Sequence, residues 1–216
     1  MNFKDYINTF YIPEPAHFFE EYRYIAEKNS EPIILRHTRQ FIMQMLILKK
    51  PSKILELGTN IGYSASVMSY TLRKIVKKRK FKILTIEADS ERCKFAEKMI
   101  KKYKLPHIKI INRRIENILP LFRKEYFDFI FVDADKLHYE YYLNVCVNIL
   151  KYDGIIIFDN VFFKESVFKK NNYSPQEKVP LYLKSFNSYF MNVKNLLPNL
   201  LYVGDGLAVA IKKKLD

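Results

Sequence analysis

The chain has 216 residues and 25.9 kDa, with 49% hydrophobic and 15% aromatic side chains, which excludes a disordered polymer and suits one α/β domain. Its 37 Lys and Arg against 23 Asp and Glu leave a net charge of +14, the compositional outlier. No apolar run is long enough to span a bilayer, and Cys93 and Cys146 show no metal spacing.

Residues 1–6 carry no signal-peptide pattern, so reduced thiols and a cytoplasmic location are expected, with no membrane partner. Residues 14–28 and 36–49 read as two amphipathic helices, separated by Pro32 and stopped by Pro51. Strands are then expected at 53–57, 81–87, 107–112, 127–133 and 154–159. Helices are expected between them at 63–77, 90–103, 116–123 and 139–150. Such alternation gives a parallel sheet with helices on both faces. Residues 162–178 are polar and irregular. A helix at 179–193 follows, and 199–204 and 207–212 flank the Gly204-Asp205-Gly206 turn as an antiparallel hairpin. One domain, 1–216, is expected, with N-terminal helices in 1–50 and an α/β Rossmann-like core in 51–216.

Ile54-Leu55-Glu56-Leu57-Gly58-Thr59-Asn60-Ile61-Gly62-Tyr63-Ser64-Ala65 reads as a strand, a glycine turn and a helix start. The turn is E-x-G-x-x-x-G, unlike the G-x-G-x-x-G of dinucleotide sites or the lysine-bearing phosphate loop. Glycines let backbone approach a ligand, and Glu87 closes the next strand where a ribose would offer hydroxyls. A glycine turn with a strand-end acid and no pyrophosphate cradle points to S-adenosylmethionine. Asn60 tolerates the turn conformation.

Two further strands end in polar residues, Val132-Asp133-Ala134-Asp135-Lys136 and Phe158-Asp159-Asn160. Adjacent parallel strands would bring Asp133, Asp159 and Asn160 together. Two carboxylates and an amide oxygen are hard donors that suit Mg2+ with open positions for substrate oxygens. Helix capping is the competing reading for each residue alone. The metal would orient and acidify a substrate hydroxyl, and Lys136 would take its proton.

The basic residues concentrate in 73–82 and continue through Lys94, Lys98, Lys101, Lys102 and Lys104, then Arg113, Arg114, Arg123 and Lys124. A polyanionic partner follows from that balance, with nucleic acid the commonest kind, and lysine-rich composition on solvated helix faces is the alternative.

With these motifs in hand, the chain resembles the cation-dependent O-methyltransferases related to catechol and caffeoyl-CoA O-methyltransferases. The likeness runs from about Pro32 to Lys212. It is carried by ILELGTNIGYSA, TIEAD, FVDADK, FDN and VGDGLAVAIKK. It implies the seven-stranded methyltransferase sheet, five parallel strands plus the hairpin. It implies cofactor contacts from Glu56, Gly58, Thr59, Gly62, Ser64, Glu87, Ile115, Glu116 and Asp133. It also implies Mg2+ ligation by Asp133, Asp159 and Asn160, catalysis by Asp133 and Lys136, and a homodimer through the N-terminal helices. Arg113-Arg114 stands where relatives often carry a Gly-Asp/Ala step.

Within the family the lead-in HTRQF…KKPSKILELGT, FDNVFF and the closing segment resemble the bacterial branch that methylates 5-hydroxyuridine at the tRNA wobble position. The positive charge agrees. The anticodon stem-loop would then be the partner. Tyr6, Phe10 and Tyr11, or Phe162, Phe163, Lys164, Phe168, Lys169 and Lys170, would stack its bases and follow its phosphates. Two other readings stay open: a small-molecule catechol-type enzyme, and a non-catalytic RNA-binding protein on the same fold.

Overall fold

Strand β1 (Lys53–Leu57) is apolar after Lys53 except for Glu56, and its last four residues are buried. That is the pattern of a central strand covered on both faces, and the computed structural model places it so. The structure describes residues 6–7, 9–10, 12–75, 80–168 and 178–214. Helices α1 (Phe18–Asn29) and α2 (Arg36–Lys49) precede β1. After it come α3 (Tyr63–Ile75), β2 (Lys82–Glu87), α4 (Ser90–Lys102), β3 (Ile108–Asn112) and α5 (Ile115–Ile118). Then follow β4 (Phe127–Val132), α6 (Tyr139–Ile149), β5 (Leu150–Phe158), α7 (Lys178–Met191), β6 (Leu196–Leu201) and β7 (Leu207–Lys212).

The sheet order is β3-β2-β1-β4-β5-β7-β6. The first five strands run parallel, and β7 is antiparallel to both β5 and β6. This is the seven-stranded Rossmann-like methyltransferase fold that the sequence implied. Among the described residues no helix is long and apolar enough to cross a membrane.

Alternation along the strands sorts the core into two layers. Leu55, Leu57, Ile130, Val132, Ile156 and Phe158 meet Tyr139, Leu143, Phe186 and Phe190 from α6 and α7. Ile54, Phe129, Phe131, Ile155 and Ile157 meet Phe19, Tyr22, Ile42, Leu46, Met68 and Leu72 from α1, α2 and α3. Each such fully buried apolar side chain contributes about 1.5–3 kcal/mol. Glu56 alternates with Leu55 and Leu57 and so points with Ile54 toward α3.

Several boundaries differ from the sequence expectation for identifiable reasons. The helix expected at 116–123 is one turn, α5, followed by a 3-10 turn at Leu119–Leu121, because Pro120 lacks the N–H to continue it. Strand β5 begins at Leu150 rather than 154 and contains an irregular step opposite Phe127–Phe129. At that step a Cβ on Gly154 would lie 2.6 Å from Leu150 Cδ1. Strand β6 spans Leu196–Leu201 despite Pro198. It is an edge strand, where a missing donor is tolerated.

Register fixes the functional end of the sheet. Leu57 is level with Ile86 and Val132, and Val132 with Phe158. One residue further on come Gly58, Glu87, Asp133 and Asp159. The bonds Gly58 N to Ile86 O (3.0 Å), Asp133 N to Leu57 O (2.9 Å) and Asp159 N to Val132 O (3.0 Å) extend the ladder to this edge. Strand order reverses between β1 and β4, so the crevice there is a switch point where such sheets bind ligands.

Candidate active site

A cavity of about 560 Å3 opens at this crevice. Its wall includes Gly58, Thr59, Ser64, Glu87, Ile115, Glu116, Asp133, Lys136, Asp159 and Asn160. Ten of the sequence-derived positions thus converge from five separate strand ends. Glu56 and Gly62 are not on that wall, and each acts from behind it.

The turn after β1 is built on left-handed backbone at Gly58 (φ +93°), Asn60 (φ +46°) and Gly62 (φ +83°). A Cβ on Gly58 would lie 2.1 Å from the Asp133 carbonyl oxygen, so β1 and β4 approach there only because glycine is present. Gly62 packs against Ala96, its absent Cβ 3.1 Å away. Asn60 does more than tolerate the turn. Its N–H donates to Glu87 Oε2 (2.9 Å) and its amide nitrogen donates to the Pro32 carbonyl. Glu87 also accepts from Asp89 N (3.0 Å), which holds its carboxylate at the cavity edge.

Glu56 is fully buried, and Ser64 Oγ donates to one of its oxygens. Thr85 Oγ1 lies 2.6 Å from the other, and Thr59 Oγ1 lies 2.6 Å from Thr85. Burial pushes the Glu56 carboxyl up to about 8, with the Ser64 and Thr85 hydrogen bonds opposing and Asp133 and Glu87 adding to the rise. Glu56 therefore ties Ser64 directly, and Thr59 through Thr85, to one buried group.

At the other end of the cavity Lys136 Nζ sits 2.8 Å from Asp133 Oδ1 and donates to the Ala134 carbonyl (3.2 Å). Asp159 is 1% exposed. Its carboxyl is raised well above the usual range, first by burial and then by the neighbouring Asp133 charge, with the Asn160 N–H and Lys136 opposing. Asn160 takes left-handed backbone (φ +57°) as the chain leaves β5, and its N–H donates to Asp159 Oδ1 (2.7 Å). Tyr139 anchors the strand end by donating to the Asp159 carbonyl (2.9 Å). Among the described residues no group of three or more His, Cys, Asp and Glu side chains forms a metal cluster. The donors here are two carboxylates plus an amide. Two carboxylates forced together beside a single ammonium make a hard-oxygen set whose chemistry fits a divalent cation.

The structure also adds wall residues that sequence reasoning missed: Pro32, Ile33, Ile34, Arg92, Arg114, His138 and Tyr142. His138 and Tyr142 are four apart and lie on one face at the start of α6, a spacing visible in the sequence. Tyr142 Oη donates to Glu116 (2.8 Å), which turns that carboxylate toward the cavity, and His138 pairs with Asp135 (3.0 Å). Tyr63, itself on the wall, donates through Oη to Glu14 (2.7 Å) and accepts from Arg23 (2.9 Å), while Arg39 pairs with Glu14 (2.6 Å). This buried cluster clamps the segment before α1 onto the turn.

Of the expected RNA-contacting residues, Phe163 is half-buried and packs against the α7-side core, whereas Lys164 is exposed. Phe168 is exposed, Phe162 is core, and Lys169, Lys170 and Tyr11 lie outside the described residues.

Comparison with known proteins adds the last observation. The O-methyltransferase family model matches residues 14–213. A catechol O-methyltransferase of Niastella koreensis is 31% identical over 156 residues, covering 70% of this chain and 68% of that protein. A caffeoyl-CoA O-methyltransferase of Medicago sativa is 25% identical over 225 residues, covering 96% and 87%. The Podospora anserina methyltransferase PaMTH1, solved with bound SAH, superposes with a TM-score of 0.81 at 25% identity, covering 94% of this chain and 89% of that one.

Proposed function

The chain belongs to the O-methyltransferase family and is an S-adenosylmethionine-dependent enzyme of the caffeoyl-CoA/catechol type; from that premise we propose that it methylates 5-hydroxyuridine at the tRNA wobble position to 5-methoxyuridine. The observation that carries the reading is the convergence of Asp133, Lys136, Asp159 and Asn160 on one cavity with Glu87 and the Gly58 turn. The net charge of +14 supports a polyanionic substrate.

Glu87 would accept from the ribose hydroxyls, and Ile115 and Glu116 would flank the adenine. Ser64 and Thr59, tied to Glu56, would hold the methionine end. Asp133, Asp159 and Asn160 would hold Mg2+, which when bound supplies Lewis-acid polarisation of the substrate oxygens. Lys136 Nζ, 2.8 Å from Asp133, would take the proton from the substrate hydroxyl as the neutral amine, after releasing its own proton to solvent. The cavity would align the freed oxygen with the sulfonium methyl that S-adenosylmethionine supplies when bound, the O–C bond forming as the C–S bond breaks and S-adenosylhomocysteine leaves. The walls contribute alignment and exclusion of water. Vicinal O5 and O4 of 5-hydroxyuracil present the same chelating pair as a catechol.

A small catechol-like substrate is the second reading, favoured by the names of the relatives. The test is transfer of labelled methyl to tRNA from a host lacking the enzyme, with and without EDTA, followed by nucleoside mass analysis. Divalent-cation-dependent formation of 5-methoxyuridine supports the proposal. Transfer to a catechol and none to that tRNA moves the substrate to the small-molecule class. A homodimer through the N-terminal helices is proposed alongside, and mass by light scattering tests it.

A further inference from the structure

Charge in this chain is concentrated rather than spread. Residues 73–109 hold fourteen Lys and Arg against four Asp and Glu, so this sixth of the sequence carries +10 of the chain's +14. The fold separates the two signs further. Glu87, Asp89 and Glu91 lie at the carboxyl end of β2 and the start of α4, beside the cavity. Arg92 lines the cavity near them, but among the described residues Lys80, Lys82, Lys101, Lys102, Lys104 and Lys109 lie at the opposite end of the sheet, where α4 finishes and β2 and β3 begin. There Arg73 donates to the Lys104 carbonyl (3.0 Å), and the Phe81 and His107 rings lie 4.2 Å apart, which joins these elements into one surface.

At its centre is a groove of about 610 Å3 along β3, the edge strand of the sheet. Ile100, Leu105 and Ile108 contribute to its floor, and Lys101, Lys104 and Lys109 stand on its rim. Lys94 pairs with Glu91 and Lys102 with Glu21, but Lys98, Lys101, Lys104 and Lys109 have no carboxylate partner among the described residues. Lys94, Lys98 and Lys101 follow one face of α4, at rises of about 6 and 4.5 Å. Three exposed cations around the groove, with Lys98 beside them on α4 and Glu97 the one carboxylate on its lining, leave a net positive field that an extended anion satisfies along its length.

We propose that the α4–β3 edge is a docking surface for the phosphate backbone of RNA, separate from the catalytic cavity. The inference rests on the tRNA reading above for its choice of polyanion. Strand β2 spans the molecule from Lys82 on the basic side to Glu87 at the cavity, about 17 Å at the usual rise. An RNA lying along this edge therefore reaches the cavity with one end while its stem remains on the lysines. The apolar floor receives a sugar or an unstacked base face, and the lysines contact phosphates without reading sequence.

The test is binding of full-length protein to unmodified tRNA by fluorescence anisotropy across a KCl series. The proteins are wild type, a variant carrying Lys98→Glu, Lys101→Glu, Lys104→Glu and Lys109→Glu, and the same four changed to Gln. Each lost phosphate contact removes about 0.7–0.9 from the slope of log K against log salt. The Gln variant is expected to lose about 3 from that slope, and the Glu variant about 100-fold in affinity at 0.1 M salt. SAH affinity and the melting temperature should stay at wild-type values in both. Unchanged tRNA affinity and slope in the Glu variant overturns the docking surface. So does wild-type binding of polyglutamate as tight as that of tRNA at equal charge, which would assign the edge to an acidic protein. Unmodified tRNA keeps the two proposals apart. Lysine-dependent binding without 5-methoxyuridine formation refutes only the substrate, and 5-methoxyuridine formation that ignores the lysines refutes only the docking surface.

Discussion

Glu56 gives the sharpest test of the site's electrostatics. Its carboxyl is fully buried and raised from 4.5 to about 8, chiefly by burial. A carboxyl whose folded value is raised contributes stability that is fully present below its unfolded value and is lost as pH rises through the folded one. Between those limits the folded chain holds one more proton than the unfolded chain, and stability falls by about 1.4 kcal/mol per pH unit. From pH 5.5 to 7.5 the Glu56 share of the loss is about 2.7 kcal/mol. Glu56→Gln removes the titration and keeps an amide that both accepts and donates toward Ser64 and Thr85. At pH 5 the variant should lie within about 1 kcal/mol of wild type, and by pH 7.5 it should be the more stable protein. The assay is urea unfolding at half-unit pH steps without added metal or cofactor. Asp159 is raised in the same direction, and its share cancels in the difference between the two proteins. Parallel stability curves for wild type and variant would refute the assignment of a proton to Glu56 near neutral pH.

Lys136→Met should lower kcat by about 100- to 10,000-fold, the range for a lost general base, while SAH affinity measured calorimetrically stays within a few-fold. Gly58→Ala places a Cβ 2.1 Å from the Asp133 carbonyl at φ +93°, and should cost about 2–4 kcal/mol in urea unfolding and weaken SAH binding. Asp159→Asn should abolish the EDTA-sensitive part of methyl transfer and leave SAH affinity unchanged. An unaltered EDTA response would remove Asp159 from the metal set.

The strand ends were legible because a residue type and its position carried the chemistry together. Gly58, Glu87, Asp133 and Asp159 each follow an apolar run, and parallel register then places them side by side. Lys136 was legible for the same reason, lying three residues past Asp133 and reaching back to it. Glu56 was harder to read. The motif marks the acid, but the alternation of β1 turns it toward α3 and away from the cavity, where it holds Ser64 instead. Pro32, Ile33 and Ile34 carry no chemical signature and are held at the wall by long-range contacts, Asn60 to the Pro32 carbonyl and the packing of Ile34 in the core. The clamp of Glu14 by Arg23 and Arg39 was equally invisible, since no local pattern separates a buried ion cluster from a solvated one.

The sequence by itself determined the alternation of strands and helices, the glycine turn and the identity of the acids, because these depend on local propensity and on steric limits within a few residues. Only the tertiary structure decided which acids face the cavity and which serve as supports, how the N-terminal segment closes one wall, and that Lys101, Lys104 and Lys109 share one groove at the end of the sheet away from the site. Those outcomes depend on register, strand order and the packing of helices across long separations, where a one-residue shift reverses the face a side chain occupies.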